Sequence, residues 1–73
     1  MTRETMLAQL EALVEVGPGT LHGPDELSGL PGWDSLTQLT FVVQVERATG
    51  TRVPPSKVAE CRTVDDLLAL FAT

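Results

Sequence analysis

Aromatic side chains are nearly absent from this 73-residue chain: Trp33, Phe41 and Phe71 make up 4% of it, and there is no tyrosine. A core must therefore be built from leucine, valine and alanine, and the 42% hydrophobic share is enough to supply one. Cysteine occurs once, as Cys61, which excludes an internal disulfide and a thiol metal cluster and reads as a small apolar side chain. Histidine also occurs once, as His22, in a loop between Leu21 and Gly23. With no second ligand at a useful spacing, it is a solvated histidine and no metal site is expected. Basic residues are few, five against ten acidic ones, for a net charge of -5. That sign repels a phosphate backbone, so no nucleic-acid partner is expected. No apolar run approaches the length of a bilayer span, and the opening "MTRETMLAQL" mixes charge into its first turn instead of offering a signal-peptide apolar segment. The expectation is one domain over residues 1–73, monomeric, cytoplasmic and away from membranes.

What is present is helical periodicity. Thr2 can cap a first helix in which Met6, Leu7, Leu10, Leu13 and Val14 recur at three- and four-residue spacing, with Gly17, Pro18 and Gly19 as its stop. A long loop follows to Trp33, pinned by Leu21, Leu27 and Leu30, and Trp33 reads as a loop anchor that could also join a docking surface. The next helix runs from Ser35 to about Thr49 and ends at Gly50. On its wheel Leu36, Leu39, Phe41, Val42, Val43 and Val45 fill a broad apolar arc, while Thr37, Thr40, Gln44 and Arg47 share the opposite face. Such a helix should be central and packed on more than one side. Glu46 falls inside the arc, either as a stem along the core or as a buried acceptor. Pro55 suits the first position of a short helix through Glu60, with Val53 and Val58 as core contacts. Thr63 then caps a last helix with Asp65 and Asp66 in its first turn and Val64, Leu67, Leu68 and Phe71 as its apolar stripe. The fold class is all-α: a small four-helix bundle of three main helices and one short one, with a long first loop.

One stretch, "GLPGWDSLTQL", poses a chemical question: a hydroxyl stands where the loop gives way to the second helix. Ser35 with Gln38 three residues on has the form of a capping box, and that alone would account for it. Nucleophilic catalysis is disfavoured, because a bare serine needs an adjacent base and His22 is the only histidine. No catalytic residues are assigned, and no acid-base pair, metal set or phosphate loop is present. A third use needs no activation by this chain: the hydroxyl could accept a phosphate-linked group from another enzyme, at a helix start that favours an anion.

Gly32-Trp33-Asp34-Ser35-Leu36 resembles the attachment motif of the acyl carrier protein and peptidyl carrier protein family, and the order of helices, the loop, Glu46, Val53 to Pro55 and "RTVDDLLALF" fall where that family places them. The resemblance implies that Ser35 receives 4'-phosphopantetheine from coenzyme A by the action of a phosphopantetheinyl transferase. The cofactor's thiol, and not Cys61, would then hold acyl or aminoacyl groups as thioesters for a loading enzyme and for downstream synthase, transferase or tailoring enzymes. It further implies a discrete, non-catalytic carrier whose partners read Asp34, Leu36, Thr37, Thr40, Gln44 and Arg47. Fatty-acid carriers are rich in acids on this face, whereas Thr37, Thr40 and Arg47 stand here. A polyketide, nonribosomal-peptide or related specialised pathway is therefore expected ahead of fatty-acid synthesis. The reading from another class is an unmodified helical interaction module in which Ser35 only caps.

Overall fold

Thr2 starts the first helix as its spacing predicts: its hydroxyl accepts the Thr5 N–H at 3.1 Å, and α1 runs Arg3–Leu13. The computed structural model describes residues 1–71, so positions 72 and 73 of the expected domain lie outside the described residues. Met6, Leu10 and Val14 are buried along one side of α1, as expected. Glycine, however, is not what ends the helix. Glu15 takes the left-handed conformation at φ 59°, its N–H donates to the Ala12 carbonyl at 3.3 Å, and the Val16 N–H donates to the Glu11 carbonyl at 3.0 Å. These two bonds form a Schellman closure, completed before Gly17 is reached.

The loop that follows is tied down largely through its backbone. Leu21 and Leu27 are buried and Leu30 is half-buried, and a short 3-10 turn, Leu27–Gly29, forms where the sequence pattern gave no helix. Glu11, only 5% exposed, faces this loop and accepts the Leu21 N–H at 3.0 Å. At the far side the Leu27 N–H donates to the Arg62 carbonyl, the Val64 N–H to Asp25 and the Asp65 N–H to Gly23, each at 2.9 Å. A Cβ at Gly23 would run into the Asp65 carboxylate, which also takes the Arg3 guanidinium. A side chain at this position would have to displace the exposed Asp65 carboxylate from its place.

The remaining helices are α2, Ser35–Thr49, α3, Pro55–Ala59, and α4, Val64–Ala69. Gly50 closes α2 at φ 76°, its N–H bonded to the Glu46 carbonyl at 2.8 Å. Pro55 opens α3, and Val53 and Val58 are buried on either side of it. Glu46 combines the two readings: it is half-buried, and its Oε2 accepts the Val53 N–H at 2.7 Å. Thr63 and Asp66 form a reciprocal capping box on α4, whose Val64, Leu67 and Leu68 join Phe71 in the core. The small all-α bundle expected from the sequence is what forms. Among the described residues there is no strand, only an isolated bridge between Glu26 and Thr63, and no helix long and apolar enough to cross a membrane.

The left-handed Glu15 offers a direct test of the α1 closure. A side chain at this position strains the backbone, and glycine does not. Glu15→Gly should stabilise the chain by about 0.5–1 kcal/mol, read as a higher urea midpoint at unchanged slope.

Candidate functional site

Asp34, and not Ser35, caps α2. Its backbone is extended at φ -116°, and its Oδ1 accepts the Thr37 N–H at 2.8 Å. The capping box read from Ser35 and Gln38 does not form; the cap is a single bond from the preceding residue. Ser35 occupies the first helical position, where a side chain is not aimed at the free N–H groups of the first turn. Its hydroxyl is exposed and makes no hydrogen bond among the described residues. The serine is therefore left without a structural task, at the positive end of a 15-residue helix.

The Asp34 carboxyl is held below its usual range, first by the Thr37 N–H, then by the Thr37 hydroxyl. It stays ionised at neutral pH, a fixed negative charge beside Ser35. Trp33, on its other side, is half-buried and packs edge-to-face on Phe41, with centroids 6.5 Å apart at 71°. The loop-anchor reading of Trp33 fits this packing.

The solvent face of α2 differs from the one expected. Leu36 is 72% exposed and Leu39 59%, Val43 is half-buried, and only Phe41, Val42 and Val45 are buried. The broad arc was too wide for a single interface: at about 100° per residue its six members spread over some 220°, more than one core can cover. The helix is thus not packed on more than one side. Leu36, Leu39 and Val43 form an apolar row along the outside. Leu39 and Val43, absent from the expected partner face, could have been found by measuring their wheel angle from Phe41 and Val45.

Of the residues expected to meet partners, Asp34, Leu36 and Arg47 are exposed, and Thr37 and Thr40 are half-buried. The Thr40 hydroxyl donates back to the Leu36 carbonyl at 2.9 Å. Gln44 is turned toward α1, where its side-chain oxygen accepts from the Gln9 amide.

From Ser35 an apolar groove of about 230 Å³ runs between α2 and α3, lined by Gln38, Leu39, Val42, Pro55 and Val58. A second hollow, of about 340 Å³, lies at the other end of α2 between Arg47 and Arg52. Cys61, whose Sγ lies 3.4 Å from the Lys57 carbonyl, has its thiol pushed up by burial and by the nearby Asp66 and Glu60 carboxylates, which suits a structural thiol and not a reactive one. Among the described residues no group of acidic, histidine or cysteine side chains could hold a metal ion.

The family model described as a phosphopantetheine attachment site matches residues 6–71. That span begins within α1 and takes in α2, α3 and α4, and the chain belongs to this family, whose members carry covalently attached 4'-phosphopantetheine. Comparison with curated proteins finds no match. The residues present fit such a group: a free, exposed serine hydroxyl, a helix dipole that favours the phosphodiester, and an apolar groove leading away from it.

The division of labour between Asp34 and Ser35 can be measured. Ser35→Ala should leave stability within about 0.5 kcal/mol, whereas Asp34→Ala should lower the melting temperature and Asp34→Asn should recover much of the loss. Because the Asp34 carboxyl is depressed in the folded state, the unfolded chain binds more protons. The stabilisation by ionised Asp34 is complete above the ordinary carboxyl value of 3.8 and is lost as pH falls through the lower folded value. The gap between wild type and Asp34→Ala in melting experiments should therefore be constant near neutrality and narrow below that point.

Proposed function

We propose that Ser35 is the residue to which 4'-phosphopantetheine is attached, and that the chain works in the cytoplasm as a monomeric, non-catalytic carrier in polyketide, nonribosomal-peptide or related specialised biosynthesis. The observation that carries this reading is the exposed Ser35 hydroxyl at the head of α2, which bonds no other described residue and whose capping role is taken by Asp34. The same observation weakens the interaction-module alternative, whose only use for the serine was the cap. When bound, the group supplies a terminal thiol that holds acyl or aminoacyl cargo as a thioester.

The chain's own residues do the positioning. Ser35 projects from a long rigid helix, so the attachment point is fixed relative to the surface that partners meet. The helix dipole favours the phosphodiester, while ionised Asp34 stands beside it as a charge for partners to read. Tethering replaces free diffusion of cargo by a high local concentration at each partner in turn. Those partners are a phosphopantetheinyl transferase, an acyl- or aminoacyl-loading enzyme, and downstream synthase, transferase or tailoring enzymes. Contact with each must be weak enough to release.

The pathway assignment rests on the outer face of α2. Thr37, Thr40 and Arg47 stand where carriers of fatty-acid synthesis show acids, so a fatty-acid role is the second choice.

Incubation with coenzyme A and a phosphopantetheinyl transferase should add one 4'-phosphopantetheine mass, mapped to Ser35 by peptide sequencing. Ser35→Ala should show no gain, and loading of that variant would overturn the assignment. Leu36, being 72% exposed, contributes little to the core. Leu36→Ala should slow loading or onward transfer by about fivefold or more while stability changes by less than about 1 kcal/mol, as for an apolar anchor at an interface. Rates and melting measured on the same preparation would separate this from a core role.

A further inference from the structure

Charge is segregated in this chain. Four of the five basic side chains, Arg47, Arg52, Lys57 and Arg62, fall within residues 47–62, which hold only one of the ten acidic ones, Glu60. That stretch carries a formal charge of +3 in a chain of net charge -5. It comprises the last turn of α2, the connection, α3 and the approach to α4.

Two of these bases converge. Arg47 and Arg52 are both exposed and flank the hollow of about 340 Å³ that Val43 also lines. Neither pairs with a carboxylate among the described residues, whereas Arg3, the base outside this stretch, is engaged by Asp65. Glu46 borders the same hollow, but its Oε2 is committed to the Val53 N–H at 2.7 Å. The outward row of Leu36, Leu39 and Val43 leads from the Ser35 end into this hollow. Eleven residues separate Leu36 from Arg47, about 16 Å of helix.

We propose that this continuous surface, apolar from Leu36 to Val43 and cationic at Arg47 and Arg52, is a docking site for partner enzymes that present an apolar patch bordered by carboxylates about 18 Å from the point where Ser35 is received. The proposal rests on the carrier reading above and specifies the partner's chemistry. Guanidinium groups suit carboxylates because they pair through two parallel hydrogen bonds and shed water readily. Exposed pairs of this kind are individually weak and salt-sensitive, which suits a contact that must form and release repeatedly. The chain's net negative charge opposes an anionic lipid surface as the occupant.

The test compares loading of the full chain from coenzyme A by two phosphopantetheinyl transferases of known structure, one with carboxylates bordering its carrier cleft and one with lysines and arginines there. Arg47→Glu combined with Arg52→Glu should lower kcat/KM about tenfold with the first enzyme and raise it with the second, both effects shrinking as salt increases. Melting of the variant should be unchanged. Loading that proceeds normally at Ser35 with both enzymes, indifferent to the reversal, overturns this proposal alone. No loading of the wild-type chain by either enzyme overturns the attachment assignment and this proposal with it. A wild-type dimer in sedimentation that Leu39→Ser disperses would give the face to a second copy, and binding to anionic vesicles abolished by the reversal would give it to a membrane; either result also overturns the proposal.

Discussion

Phe41 is the contact on which the arrangement depends. It is fully buried in α2, meets Trp33 edge-to-face at 6.5 Å on one side and Phe71 at 6.2 Å and 76° on the other, and so joins the end of the long loop, the second helix and the segment after α4. A chain with only three aromatic residues has placed all of them in one line of contact. Each edge-to-face pair contributes about 0.5–1.5 kcal/mol beyond burial of its area. In a domain this small, where a single core supplies only a few kcal/mol, two such pairs are a substantial part of the total. Trp33 lies two residues before Ser35, so the contact that centres the core also fixes the approach to the candidate site.

The long loop is held by a second device, the capture of its backbone groups. Buried Glu11 takes the Leu21 N–H from one side, and the backbone around α4 takes Gly23, Asp25 and Leu27 from the other. Backbone polar groups covered by a packed segment must be paired, and here the pairing comes from two helical regions at opposite ends of the sequence. The loop thereby becomes a structural layer of the bundle. It leads to a helix start whose position is set from both sides, by Trp33 within the core and by Asp34 at the cap.

Much of this was legible in the sequence because the signals were local. Thr2, Thr63, Pro55 and Gly50 each act within one turn of themselves, and each does what its residue type predicts. Val53, Val58 and the stripe on α4 followed from periodicity alone. The misread features depended on register or on distant parts of the chain. Asp34 and Ser35 are both good caps in adjacent positions, and the choice between them is made by where the extended backbone after Gly32 ends. Leu39 and Val43 belong to the apolar arc of α2, but hydrophobicity says that a residue can be buried, not whether a neighbour exists to cover it. Glu15 carries no residue-type signal for a left-handed turn. The site itself was legible as a motif, but the unbonded state of its hydroxyl was not, since that depended on which residue the helix uses to begin.

The separation of Asp34 from Ser35 has a thermodynamic consequence. Had the serine hydroxyl been the helix cap, esterifying it would have removed an acceptor the helix needs, and the apo and holo forms would have differed in folding free energy. By linkage, that difference would have appeared as resistance to the transfer reaction or as a holo form prone to unwinding at the point of attachment. With the cap carried by the neighbouring carboxylate, esterifying Ser35 as proposed would leave the bond that begins the helix in place. On that proposal the loaded chain would keep the same helix start as the unloaded one, and loading would act on folding only through the added charge at the head of α2.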